Sequence, residues 1–165
     1  MKWLGFLVLT VAGAVIGVSA QREKQQRVHI LTGIEMLLLD LEKRLQFTAV
    51  PLREWLTEAM CLSQYADLVF LKDTITLLAD SDLETAWQSA VERAPYLLEE
   101  DVTVLKRLGT QLGKSDTATQ LSCVKETVSG ISAHKVKAAE VAKKASKLYV
   151  GLGSCAGMAV ALLLI

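Results

Sequence analysis

Two stretches of the chain, Trp3–Ala20 and Leu148–Ile165, are each 18 residues long and hold no charged side chain. As helices they cover roughly 27 Å at 1.5 Å per residue, within the accepted range for crossing a ~30 Å hydrocarbon core. They account for an apolar share of 52% against 22% charged, which is high for a soluble chain of 165 residues. The sequence therefore divides into an N-terminal transmembrane helix over 1–20, a helical domain over 21–147 and a C-terminal transmembrane helix over 148–165. The middle segment carries 17 basic and 18 acidic residues. That balance gives no support for nucleic-acid binding, which needs a basic face. Cys61, Cys123 and Cys155 are odd in number and lack metal spacing. They read as free thiols in a reducing compartment.

The first stretch has a rival reading. Lys2, the apolar run and Val18-Ser19-Ala20 before Gln21 resemble a signal peptide cleaved after Ala20, which would release an exported helical binding module. Against it, Arg22, Lys24 and Arg27 follow the first stretch, and Lys143, Lys144 and Lys147 precede the second. Positive charge on the connecting segment beside both spans places that segment in the cytoplasm. The expected topology is a hairpin with almost nothing outside. Gly13 and Gly17 in one span, and Gly153 and Gly157 with Ala161 in the other, are small residues four apart. Such spacing lets helix backbones approach closely in lipid, although glycine is also simply common in membrane helices.

Between the spans, apolar residues recur at three and four rather than two, which predicts an all-α bundle of about six antiparallel helices. Its first and last helices are long and continue into the spans. Leu31, Ile34, Leu38, Leu41 and Leu45 form the first seam. Pro51 suits the first position of a second helix, where its missing N–H costs nothing, and that helix turns Leu52, Trp55, Leu56 and Ala59 inward. A third helix is expected over about 65–79 with Leu68, Leu71, Ile75 and Leu78 inside. Ser81 to Glu84 fits a capping box for a fourth, with Leu83, Ala86, Trp87, Ala90 and Val91 on its apolar side. Glu99, Glu100 and Asp101 open a fifth, where acids complement the helix dipole. A sixth begins near Asp116 with Leu121, Val124, Val128 and Ile131, then the shallower Ala138, Ala142 and Ala145. Ser129-Gly130 reads as a soft point within it.

The stretch LGTQLGKSD, residues 108–116, tests for a phosphate-binding loop. Such a loop needs four residues between its glycines and a preceding strand. Here Gly109 and Gly113 have three residues between them, and Leu98, Val102, Leu105, Leu108 and Leu112 repeat at helical steps up to the site. The stretch is instead a helix end, with Gly113 as left-handed cap and Ser115 or Asp116 capping the next helix.

Nothing points to catalysis or a bound cofactor. His29 and His134 have no adjacent nucleophile, and no histidine lies within clear reach of Glu99, Glu100 and Asp101, so those acids read as dipole partners rather than metal ligands. Cys61 or Cys123 as a nucleophile remains a third reading without a local signature. Trp55 and Trp87 read as core anchors. From Asp80 to Asp101 there are seven acids and one base, Arg93. Asp80, Asp82, Glu84 and Glu92 are therefore candidates for docking a basic partner.

The two apolar ends, Pro51-Leu52, Ala86-Trp87 and above all LGTQLGKSDTATQ resemble the stage III sporulation protein AB family over essentially the whole chain. Gly109, Gly113, Ser115, Asp116 and Gln120 carry the most specific part, while the alanine-rich sixth helix departs from the pattern. The family's helical domain is similar to cytoplasmic domains of type II secretion system protein F. The resemblance implies a non-enzymatic member of the channel-like complex joining mother cell and forespore. It would be held in the mother-cell membrane around the forespore, facing the mother-cell cytoplasm. Implied partners are a secretion-type ATPase and other membrane proteins of the complex.

Overall fold

The computed structural model describes the backbone of residues 2–47, 51–114 and 116–164, and side chains within 21–47, 51–114 and 116–145. Among the described residues there are six α-helices, one 3-10 turn and no strand. The helices are α1 (Lys2–Phe47), α2 (Leu52–Cys61), α3 (Val69–Leu77), α4 (Leu83–Glu92), α5 (Glu99–Gln111) and α6 (Thr117–Leu164). The chain forms two compact units, one made of 1–28 with 137–165 and one of 29–136, and both long helices contribute to each. Among the described residues no helix is long and apolar enough to cross a membrane. The two expected spans, with Gly13, Gly17, Gly153, Gly157 and Cys155, lie outside the residues whose side chains are described.

The 29–136 unit is built on the apolar seam of α1. Leu31, Ile34, Leu37, Leu38 and Leu41 are all buried at three-to-four spacing, while Leu45 is half-buried. Trp55, Leu56 and Ala59 of α2 point into the same core. Asp40 of α1 accepts from Trp55 Nε1 at 2.9 Å and from Arg44 Nε at 3.1 Å. The large indole thus keeps its one donor satisfied while burying the ring. Pro51 stands one residue earlier than expected, as the N-cap with φ −57° and ψ 134°. Its carbonyl accepts from the Trp55 N–H at 3.1 Å.

The expected third helix is divided. Ser63–Tyr65 forms the 3-10 turn, and the α-helix starts only at Val69. Tyr65 is buried, with its hydroxyl reaching the Met36 carbonyl at 3.4 Å. Phe70 and Thr74 join Leu68, Leu71 and Leu78 inside, whereas Ile75 is only half-buried. Thr74 can be buried because its hydroxyl donates to the Phe70 carbonyl one turn back, at 2.7 Å.

Helix α4 packs between α3 and α5. Its Trp87 is fully buried, stands edge-on to Phe70 with ring centroids 5.5 Å apart, and donates from Nε1 to the Leu105 carbonyl of α5 at 2.8 Å. Gly109 lies one turn further along α5. A Cβ at Gly109 would sit 2.5 Å from Trp87 Cδ1, closer than real atoms approach. The glycine is there so that α5 can lie against the indole.

The long helices close the unit. The buried seam of α6 runs through Gln120, Val124, Thr127 and Ile131. This corrects the expected seam by one residue, since Leu121 and Val128 are half-buried. Polar Gln120 and Thr127 hid the true stripe; the Thr127 hydroxyl is satisfied by the Cys123 carbonyl at 2.8 Å. Lys135 of α6 pairs with Glu35 of α1, 100 residues away in sequence, and Lys125 lies 3.9 Å from Glu42. Burial alone would raise the Glu35 carboxyl, but hydrogen bonds with Lys135 and Ser132 outweigh it and hold it low. The expected soft point does not interrupt α6, which passes through Gly130 as helix. In the other unit Ala138, Ala142 and Ala145 are buried, as the alanine spacing suggested.

Gly109→Ala should destabilise the fold by about 1–3 kcal/mol through overpacking, although alanine is intrinsically the better helix former by about 1 kcal/mol. Urea unfolding checks the sign: a neutral or stabilised variant would mean that Trp87 yields space freely.

Candidate functional site

The residues singled out around Gly113 gather at one end of the 29–136 unit. Leu112 has φ −65° and ψ 123°, Gly113 has φ +78°, and the Lys114 N–H reaches the Gln111 carbonyl at 3.4 Å. These features define a type II turn, in which the third residue needs positive φ and glycine supplies it without strain. Leu83 at the start of α4 and Leu52 at the start of α2 flank the turn, within 3.7 and 3.8 Å of where a Gly113 Cβ would lie. Asp116 then caps α6. Its carboxylate accepts from the Thr119 hydroxyl at 2.6 Å and the Thr119 N–H at 3.2 Å, and its carbonyl accepts from the Gln120 N–H at 3.0 Å. Ser115 lies outside the described residues. Lys114, which a phosphate loop would aim at its ligand, is paired with Glu84.

The four candidate docking acids do not form one patch. Asp80, Asp82 and Glu84 cluster where α4 begins, and Glu92 ends that helix, roughly 12 Å further along at 1.5 Å per residue. Glu84 binds Lys114 and accepts from Gln88 Nε2 at 3.2 Å, while Glu92 binds Lys106 of α5. Both pairs tie α4 to the helix hairpin beside it. The expected capping box is also shifted: Asp82, not Ser81, is the N-cap of α4. A hydrogen bond with the Thr85 side chain lowers the Asp82 carboxyl. Ser81 serves the preceding helix instead, donating to the Leu77 carbonyl at 2.7 Å. Asp80 is exposed and takes part in neither lysine pair.

The expectation that no histidine approaches the acids of α5 is overturned. Asp101 is fully buried, and its Oδ1 lies 2.8 Å from His134 Nδ1 of α6. A carboxylate only accepts, so Nδ1–H is the donor. Asp101 Oδ2 accepts from the Leu98 N–H at 2.9 Å, completing the N-terminal cap of α5. Sequence reasoning missed this contact because the two residues are 33 apart and meet only when α5 folds back on α6. Glu100, Asp101 and His134 each place a possible ligand atom within 4.8 Å of the others. Both oxygens of Asp101 are already engaged, however, and the arrangement works as a buried polar link between two helices. His29 makes a similar but exposed contact with Asp67 at 2.8 Å.

Two grooves among the described residues are lined largely by side chains that already have partners. One of them, about 730 Å³, is lined by Arg44, Arg53, Glu54, Glu58 and Cys61 among others. Arg44 is bound to Glu58 at 2.6 Å, and Arg53 donates to the Leu78 carbonyl at 2.8 Å. A second, about 470 Å³, lies between α5 and α6 and contains Cys123 beside the Arg107–Glu126 pair at 3.0 Å. Burial raises the Cys123 thiol, which makes it a poorer nucleophile.

The family model for stage III sporulation protein AB matches residues 2–165. A solved structure of stage III sporulation protein AB is similar with a TM-score of 0.62 at 19% identity, covering 72% of this chain and 97% of that one. At that identity the structural likeness speaks for the fold. No curated protein matches the sequence.

Asp101→Ala should cost about 2–4 kcal/mol, because it strips the cap from α5 and leaves His134 without its buried acceptor. Glu100→Ala, one residue away on the exposed side, should cost no more than about 1 kcal/mol, the size of a helix-dipole contribution, in the same urea titration. Stability should also fall on acidification below about pH 4. Glu35, Asp82, Glu92 and Asp116 are all held below their usual values. In that window the unfolded chain therefore binds more protons than the native one, and stability present above it is lost as these groups protonate. Thermal melts between pH 7 and 3 measure the slope.

Proposed function

The chain belongs to the stage III sporulation protein AB family, and from that premise we propose that it is a non-enzymatic, membrane-anchored adaptor in the channel complex between mother cell and forespore. In this reading the terminal apolar stretches hold it in the mother-cell membrane around the forespore. Its helical unit, type II secretion F-like, faces the mother-cell cytoplasm, where it docks a secretion-type ATPase and other membrane proteins of the complex. The observation that carries the reading is the extent of the family match, which takes in both apolar ends as well as the bundle. The physical character of the 29–136 unit supports a scaffold. Its core is anchored by Trp55, Trp87 and Phe70, and among the described residues every buried side-chain N or O has a hydrogen-bond partner.

The docking end in this proposal is the start of α4. Asp80 and Asp82 are exposed there, outside the lysine pairs that occupy Glu84 and Glu92. The competing reading, an exported binding module, rests on the signal-like first 20 residues and requires a mature chain that begins at Gln21.

Asp80→Lys combined with Asp82→Asn reverses charge at this end while keeping a good N-cap, since asparagine caps about as well as aspartate. The double variant should reduce co-purification of the ATPase from sporulating cells at least about fivefold, equivalent to roughly 1 kcal/mol, with an unchanged melting temperature. Undiminished capture would remove this end as the docking site. Mass measurement of the same preparation separates the anchored chain from the cleaved one.

A further inference from the structure

The net charge of zero conceals a strong division between the two compact units. The unit of 1–28 with 137–165 has eight Lys and Arg against two Asp and Glu, a net of +6. The 29–136 unit has ten against sixteen, a net of −6. Excess positive charge therefore belongs to the unit that also contains both apolar stretches.

Within that unit the bases fall at matching heights. At 1.5 Å per residue, Arg22 and Lys24 follow Ala20 by about 3 and 6 Å, and Lys144 and Lys143 precede Leu148 by about 6 and 7.5 Å. A bilayer of about 40–45 Å with a core of about 30 Å leaves a headgroup layer of roughly 5–7.5 Å on each side. The four bases fall at about that depth when the apolar stretches fill the core. Arg22, Lys143 and Lys144 are exposed and Lys24 is half-exposed. Ala138, Ala142 and Ala145 occupy the buried face of α6, which leaves its lysines to the outside. Lys137 is exposed a little further out, within the 8–10 Å over which charge acts at physiological salt. Only Glu23 and Glu140 oppose them.

We propose that Arg22, Lys24, Lys143 and Lys144 form a basic collar that selects anionic phospholipid headgroups. The proposal rests on the membrane-anchored reading above and goes beyond it, because anchoring needs only apolar length whereas selection needs lipid charge. Two phosphate-binding side chains come from each end of the sequence, so neither segment holds the full cluster alone. Arginine grips a phosphate with two parallel N–H donors, and lysine acts as a point charge.

The test uses the full-length protein reconstituted in vesicles. Flotation with pure phosphatidylcholine vesicles comes first: the anchored reading requires the protein to float with them, and failure to do so overturns that reading and the collar together. In phosphatidylcholine vesicles containing spin-labelled phosphatidylglycerol or spin-labelled phosphatidylcholine as probe, the protein should bind the anionic probe at least about threefold more tightly at 0.1 M salt. A single base near an anionic surface is worth about fivefold. The preference should fall toward unity at 1 M salt, and in the Arg22→Gln, Lys24→Gln, Lys143→Gln, Lys144→Gln variant, which should still float. Floating without preference for the anionic probe leaves the anchor standing and overturns the collar. A salt-labile oligomer that persists in neutral vesicles and is lost in the variant would assign the bases to the acidic unit of a second copy, and would likewise overturn it.

Discussion

The contact between Trp87 and Gly109 decides how the helical unit is put together. A tryptophan is the largest side chain a core can hold, and its N–H must be satisfied when the ring is buried. Here the donor goes to a carbonyl of the neighbouring helix, at 2.8 Å, while the ring fills the space left by a missing Cβ. Helix α4 is only ten residues long and would be marginal in isolation. Its position between α3 and α5 goes with this interlock, with the Phe70 ring of α3 nearly perpendicular to the indole. The lysine pairs at Glu84 and Glu92 lie at the two ends of the same helix and keep it from sliding along α5.

A second regularity concerns polar groups inside the bundle. Thr74, Thr127 and Asp101 are buried, and each is satisfied by geometry particular to a helix. The threonines return their hydroxyls to the carbonyl four residues back, whereas Asp101 closes its own helix start and then reaches His134. A threonine treated this way costs little to bury and packs like valine. The aspartate is different, because removing any partner would leave charge in an apolar setting.

Helix number, the α1 seam and the corner at Gly113 were legible because apolar residues recur at helical steps and glycine marks a backbone need. The α6 stripe is hidden because periodicity counts apolar residues, and Gln120 and Thr127 lie on the inner face. The third helix shares that fault only at Thr74, its late start at Val69 following from the 3-10 turn before it. Pro51 and the capping residue of α4 were off by one position, the usual margin at helix ends. The Asp101–His134 link could not be seen locally, since nothing in either neighbourhood marks a partner 33 residues away. The four acids looked like one surface because they are near in sequence, but two of them face lysines across a helix seam.

The pairing of Glu35 with Lys135 joins residues 100 apart. A ribosome adding about 5–20 residues per second needs roughly 5–20 seconds to make that interval. For most of it, the leucine seam of α1 has been synthesised while α6, which starts at Thr117, has not. In that interval the seam has only the intervening helices to pack against, among them α2 with its buried Trp55 and Leu56, so α6 adds its flank to a partly assembled core.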